Sequence, residues 1–265
     1  MRGLRAAAVI VLVATGLFSL FVPAIRGYGY DEQFRDHIGE RPSRQFPLGT
    51  DDLGRDRAVR LWCATRVSAG LACAAAAISI LLGLIIAVFT LSFLRKPIAA
   101  ATTLCLSLPW MFVFIILRGL LPLNTSPAVS IGLTFGVMGL SGWAVPARVF
   151  SAFLSQCSNS EWMTHARATG MKTARIWRVH LWPHVRSIAW AQFRALVPAY
   201  ILAEAGLGLL GLGVAEPATS LGSLIAELQR AGSIEASPWL LAPLGVLATI
   251  TISLELLRRG EERGA

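Results

Sequence analysis

Five stretches of this chain, residues 6–25, 68–94, 97–117, 119–147 and 236–254, contain no Asp, Glu, Lys or Arg, and a sixth, 187–215, contains only Arg194 and Glu204. Each is long enough to cross a hydrocarbon core about 30 Å thick, which takes roughly 20 helical residues. A backbone in lipid must satisfy its own hydrogen bonds, and unbroken apolar runs without two-residue alternation select helices over a barrel. The expectation is therefore an all-α polytopic membrane protein with six transmembrane helices. Composition agrees, since 15% of the 265 residues are charged and mean hydropathy is +0.61, against about 25% charged in ordinary soluble domains. Disorder, a soluble enzyme and nucleic-acid binding are excluded on the same grounds.

The net charge of +9 lies between and after the spans. With a cytoplasmic N-terminus, the inner segments hold fourteen Lys and Arg against Glu161, Glu261 and Glu262, while the outer segments hold ten residues of each sign. That asymmetry places both termini on the cytoplasmic side, although the 26–67 segment carries eight Arg of its own. The first 24 residues also have the outline of a signal peptide, with Val22 and Ala24 at the positions a signal peptidase reads. Their apolar stretch is longer than the usual 7–15 residues, which favours an uncleaved first helix. Cys63, Cys73, Cys105 and Cys157 form no CxxC pair and read as free thiols.

The spans divide the chain into a first helix (1–25), an outer connector (26–67), a five-helix core (68–257) containing a cytoplasmic loop (148–186), and a tail (258–265). Within the connector, Thr50 or Asp51 is expected to cap a short interfacial helix that offers Leu53, Val59, Leu61 and Trp62 to the membrane surface. In the loop, Ser158 followed by Glu161 has the form of a capping box, and Gly170 is a natural helix stop. A second helix is expected near Thr173, interrupted by Pro183. Such a helix–Gly–helix unit cannot bury itself in lipid and calls for a protein partner.

Three separated motifs resemble the permease subunits of ATP-binding-cassette importers for dipeptides, oligopeptides and nickel. FPLGTDDLGRD at 46–56, carrying Gly49, Thr50, Asp51, Asp52, Gly54, Arg55 and Asp56, is similar to the segment after the first helix of the second permease in these importers. AEAGLGLLGLGVAEPATSLGSLIAE at 203–227, carrying Gly211, Gly213, Pro217 and Gly222, resembles a second family stretch. The 161–184 segment resembles the cytoplasmic coupling motif, usually Glu-Ala-Ala, three residues, Gly and later Leu-Pro. Here Thr164, His165 and Ala166 stand at Glu-Ala-Ala, Gly170 at the Gly, and Trp182-Pro183 at Leu-Pro.

The resemblance implies a bacterial inner-membrane permease that pairs with a homologous permease, two ATPase subunits and an extracytoplasmic substrate-binding protein. Glu161, Trp162, Met163, Thr164, His165, Ala166, Gly170 and Pro183 would form the ATPase-coupling surface, with Glu161 one turn before the missing Glu. No GxxxxGK[ST] occurs, so ATP and Mg belong to the partner ATPases and this chain is expected to bind no cofactor and hold no catalytic site. Peptides are the expected cargo and nickel the alternative within the family. An ATP-independent secondary carrier is the alternative outside it, against which stands the single intramembrane Glu.

Several features have plainer readings. Gly206, Gly208, Gly211 and Gly213 spell GxGxxG inside an apolar span, which suits close helix packing or a helix break, not a dinucleotide. Gly132 and Gly136 form a GxxxG pair expected to be an intrachain packing face. His180 and His184 have metal-ligand spacing, but Pro183 lies between them. Glu204 either lines the translocation route or bonds to a neighbouring helix, Arg194 lies within snorkelling reach of the inner interface, and Glu255 pairs along its helix with Arg258 or Arg259.

Overall fold

The computed structural model describes residues 2–90, 95–109, 126–230 and 237–262, together with 112, 113, 115 and 116. The described residues are mostly helical, and a lone antiparallel bridge between Thr50 and Asp56 is their only β pairing. The helices are α1 (Arg2–Arg26), α2 (Arg57–Phe89), α3 (Arg95–Ser107), α4 (Pro127–Ser141), α5 (Ala144–Ser158), α6 (Glu161–Ala168), α7 (Thr173–Ile176), α8 (Trp182–Leu209), α9 (Leu221–Arg230) and α10 (Ala242–Glu262).

α2 is the central rod, packed against α1, α4, α5 and α8. It buries small residues, Ala72, Ala75, Ala76, Ser79, Gly83 and Ala87, and exposes large ones, Ile78, Leu81, Ile85 and Val88. Water would penalise that inversion, whereas lipid does not, and small residues let neighbouring backbones approach. A Cβ on Gly83 would stand 2.6 Å from the Pro146 Cβ, so α2 and α5 touch almost backbone to backbone. One apolar core joins α2, α4, α8, α9 and α10 through Leu61, Phe135, Ile201, Leu224 and Ile250. A second, at the far end of α2, joins Ala87, Phe150, Leu154, Met163, Ile176, Leu181 and Val185.

Four helical stretches among the described residues are long and apolar enough to cross a membrane: Gly3–Arg26, Arg57–Phe89, Pro127–Ser158 and Pro238–Arg258. The predicted third span, 97–117, and the start of the fourth, 119–147, fall partly outside the described residues. The predicted fifth, 187–215, corresponds to α8, which has the length but carries Arg186, Arg194 and Glu204. It ends at Leu209, six residues early, where Gly211 with φ +72° turns the chain.

Other expectations are corrected. No interfacial helix follows Thr50 or Asp51. Asp56 caps a helix of 33 residues, accepting from the Ala58 N–H at 2.7 Å and the Val59 N–H at 3.4 Å. Val59 and Leu61 are consequently buried in the bundle, and Trp62 stacks on Phe18 of α1 at 5.4 Å between ring centroids. α5 prolongs α4 as far as Ser158, so the first part of the 148–186 loop is helix. Ser158 hydrogen-bonds the Ser155 carbonyl of its own helix, and Ser160 occupies the cap position before Glu161, which removes the capping box.

Pro183 sits in the first turn of α8, where a missing N–H costs little, and the chain enters that helix through a π turn at Trp177–Leu181 without interruption. Among the described residues nothing lies within 4 Å of a Cβ built on Gly132 or Gly136, and Gly139 makes the close approach instead, 3.2 Å from the Ala75 Cα if given a Cβ. Glu255 pairs with Arg258, which donates at 2.8 and 2.6 Å. The four cysteines are free thiols.

Replacing Asp56 by Ala should cost about 1–2 kcal/mol through loss of the helix cap, read as a lowered thermal midpoint in detergent. An unchanged midpoint would show that α2 starts without it.

Candidate functional site

The 46–56 motif folds into a compact cap on the N-terminal end of α2, and nearly every residue in it has a local task. Phe46 is fully buried against Phe34 and His37. Thr50 accepts from the Glu40 N–H at 2.8 Å and donates to the His37 carbonyl. Gly49 and Gly54 take φ of +69° and +76° beside the Glu40 and Phe34 carbonyls, where a side chain would overlap. Asp56 adds to its capping role by accepting from the Tyr28 hydroxyl at 2.8 Å. Burial and that carboxylate push the Tyr28 pKa up to about 12. Pro47, Asp52 and Leu53 are the exposed residues of the motif.

Asp51 is the centre of the cap. It accepts from the Leu53 and Arg55 N–H groups at 2.9 and 2.8 Å, from Arg55 Nε at 2.6 Å and from Arg60 Nη1 at 2.5 Å. Burial alone would raise its pKa, but the hydrogen bonds from Arg55 and the Arg60 charge hold it below the ordinary 3.8. The same arginines reach residues far along the chain. Arg55 lies 3.4 Å from Glu216, Arg60 lies 2.8 Å from Glu227, and Arg57 lies 3.3 Å from Glu227. The two motifs recognised separately in the sequence thus meet in one ionic cluster. Arg60 and Glu227 were missed as partners, because their pairing depends on α2 and α9 being neighbours.

Within the helices, Glu204 is fully buried. Its carboxylate accepts from the Ser68 hydroxyl at 3.0 Å and from the Gly222 N–H at 3.2 Å to each oxygen. The Leu221 N–H donates to Ser68 Oγ at 2.9 Å, and the Ser223 N–H donates to Ser220 Oγ at 3.1 Å. The first three amides of α9 therefore all have acceptors, and a carboxylate lies at the positive end of the helix dipole. Of the two roles left open for Glu204, the hydrogen bonds among the described residues make the interhelical one, closing the N-terminus of α9. Gly222 is required by that closeness, since its Cβ would lie 2.5 Å from Glu204 Oε1, and Gly208 meets the Gly222 backbone directly. Gly213 packs on Gly208, while Pro217 is exposed in the turn between α8 and α9.

At the opposite end of α2, α6 forms a small platform. Met163 is buried among α2, α5 and α8 residues, and Ala166 is half-buried. Glu161, Thr164, His165 and Arg167 are exposed, and Trp162 packs on His180 at 5.5 Å while staying 40% exposed. Gly170, at φ +74°, ends the platform with Gly170 N–H to Arg167 and Met171 N–H to Ala166 bonds of 3.0 and 3.1 Å. That paired reversal needs a left-handed residue, which Gly supplies without strain. His184 lies tilted against Phe153, 6.1 Å between ring centroids, so the two histidines serve separate ring contacts. A cleft of about 260 Å³ between α3, α4, α5 and α8 is lined by residues that include Leu106, Met138, Val145, Leu196, Tyr200 and Ala203.

Over residues 79–260 the chain matches the family described as binding-protein-dependent transport system inner membrane component. It is 30% identical over 260 residues to the oligopeptide transport system permease protein OppC of Escherichia coli (strain K12), covering 96% of this chain and 83% of that protein. It is 31% identical over 222 residues to the dipeptide transport system permease protein DppC of Bacillus subtilis (strain 168), covering 80% and 68%. The oligopeptide permease OppC of the same B. subtilis strain is 28% identical over 221 residues, covering 82% and 70%.

Glu204→Leu should leave the α9 amide and Ser68 without an acceptor, at about 1–3 kcal/mol per stranded group, while Glu204→Gln keeps an acceptor and most of the stability. Equal thermal midpoints for the two variants would refute the capping role. A carboxyl with a lowered folded pKa stabilises above its unfolded value and loses that contribution as pH falls through the folded one. Amide exchange at Leu53 and Arg55, corrected for its intrinsic pH dependence, should therefore show protection falling below about pH 4. Full protection retained at the acid limit would show that Asp51 does not hold the cap.

Proposed function

The chain belongs to the family of binding-protein-dependent transport system inner membrane components, and we propose that it is one permease subunit of an ATP-driven importer of peptides. In this reading it supplies half of the translocation route, a homologous permease supplies the other half, two ATPase subunits drive it, and an outer binding protein delivers cargo. It crosses the membrane six times with both termini in the cytoplasm. The names of its relatives, oligopeptide and dipeptide permeases, support peptides over nickel as cargo.

The observation that carries the coupling role is the platform. α6 is an eight-residue helix whose only buried side chain, Met163, sits in a cluster shared with Ala87 of α2, Phe150 and Leu154 of α5 and Val185 of α8. A push on its exposed face from an ATPase would reach three long helices at once, because a close-packed cluster transmits displacement instead of absorbing it. α2 runs from that cluster to the ionic cap at its other end, so movement at the cytoplasmic side would be felt at the outer side. ATP-driven closure would rock the helices about a central route and give alternating access, and the apolar cleft beside Tyr200 supplies a wall for that route. Thr164 in place of the family's Glu leaves the platform with neutral chemistry at that point, to which the cognate ATPase surface must correspond.

The test is mild-detergent isolation with subunits attached, followed by ATPase and uptake assays in vesicles. Gly170→Val should insert normally yet uncouple hydrolysis from uptake, because the platform's end reversal is lost. Coupled uptake preserved in that variant, or uptake by the isolated chain without ATP, would defeat the reading.

A further inference from the structure

One exposed feature has no part in the transport reading: a stripe that runs without a break from the loop into α8. Arg175, Val179, Trp182, Arg186 and Trp190 are all exposed, Val179 by 54%, Trp182 by 52% and Trp190 by 55%. Their spacing of four, three, four and four residues keeps them on one side of the helical path. Ile176, Leu181 and Val185 occupy the other side and are buried. The π turn at Trp177–Leu181 makes this possible, since it lets Ile176 and Leu181, five residues apart, both enter the core.

Two properties of the stripe point to what covers it. The first is charge: from Trp162 to Ala203 the sequence contains no Asp or Glu, while Arg175, Arg178 and Arg186 are exposed on and beside the stripe. An anionic partner is complementary to that charge. The second is the alternation of Arg with Trp at the entry to an apolar helix, the arrangement that suits a water–hydrocarbon boundary, where indoles sit at headgroup level and guanidinium groups reach phosphates. Arg194 continues the pattern inward, its guanidinium lying 5.9 Å from the Trp190 ring centroid. Side chains lean toward the helix N-terminus, so Arg194 is drawn back one turn toward the boundary and its charge is kept near the indole. Trp182 and Trp190, separated by about 12 Å of helix axis, bracket Arg186.

We propose that this stripe binds anionic phospholipid headgroups of the leaflet facing the loop, with Arg175, Arg178 and Arg186 on the phosphates and Trp182 and Trp190 among the glycerol and upper acyl positions. The contact fixes where α8 enters the bilayer and holds the platform helix, joined to it through the Trp162–His180 ring contact, at a set height above the membrane. It rests on α8 entering the bilayer and is independent of which cargo is carried.

The test uses the full chain, with any subunits that co-purify, in phosphatidylcholine vesicles containing brominated phosphatidylglycerol or brominated phosphatidylcholine. Tryptophan quenching is measured for the unaltered protein and for Trp182→Phe and Trp190→Phe, the differences giving each residue's share. The expected result is quenching of both residues, with apparent preference for the anionic lipid on the order of fivefold per arginine contact. Arg175→Gln, Arg178→Gln and Arg186→Gln together should abolish the preference, and Lys at the three positions should restore most of it. Absence of quenching at Trp182 and Trp190, which would mean that protein covers the stripe, overturns the proposal. Equal quenching by the two brominated lipids overturns it as well. Uptake measured on the same preparation reports separately on the transport reading.

Discussion

The Glu204 carboxylate is the contact on which the arrangement of the helices turns. A charge-bearing group inside an apolar bundle is tolerable only where donors converge on it, and here Ser68 of α2 and the leading amide of α9 do so. That one group ties α2, α8 and α9 at a single point. The glycines around it, Gly208 and Gly222, are consequences of it, because the backbones must close to within hydrogen-bond reach of a short side chain. Without the carboxylate, the Gly222 amide would be left unpaired and the positive dipole end of α9 would be buried with no acidic group beside it.

α2 carries that local arrangement over the length of the molecule. Its small-residue face gives α4, α5 and α8 a surface to approach, and its two ends finish in different chemistry. One end is ionic, where Arg57 and Arg60 reach Glu227 and Arg60 shares Asp51 with Arg55. The other is apolar, where Ala87 meets the cluster beneath the platform. A rod pinned by charge at one end and packed at the other is suited to relaying displacement, since neither end yields by sliding. The ionic end also joins the connector to the turn after α8, so the two family motifs are parts of one physical unit.

The platform departs from the coupling pattern it resembles at solvent-exposed residues and keeps the features that shape it. Ala166, Gly170 and the proline survive, and these govern how the helix packs, where it ends and how α8 begins. Thr164 and His165 differ, and both point to solvent. Variation confined to the outward face is what a changed partner surface permits, whereas the inward Met163 answers to this chain's own core.

How much was legible from the sequence follows from the range of each interaction. Four of the five charge-free runs coincide with helices long and apolar enough to span, because a bilayer judges each segment by its own composition. The stop at Gly170 and the Glu255–Arg258 pair are equally local, set by one residue's backbone freedom and one turn of helix. α2 begins eleven residues before the charge-free run at 68, since Arg57, Arg60 and Arg66 interrupt that run and the acid partners of Arg57 and Arg60 come only from packing; Asp51 is likewise engaged by Arg55 and Arg60, which leaves the cap to Asp56. The GxxxG pair was misassigned because spacing marks a small-residue face without saying which neighbour meets it. The partners of Glu204 lie 136 and 18 residues away, and those of Arg60 include Glu227. No local signal encodes such pairs: the sequence required that buried charges be satisfied, and only the packing of helices distant in the chain decided by what.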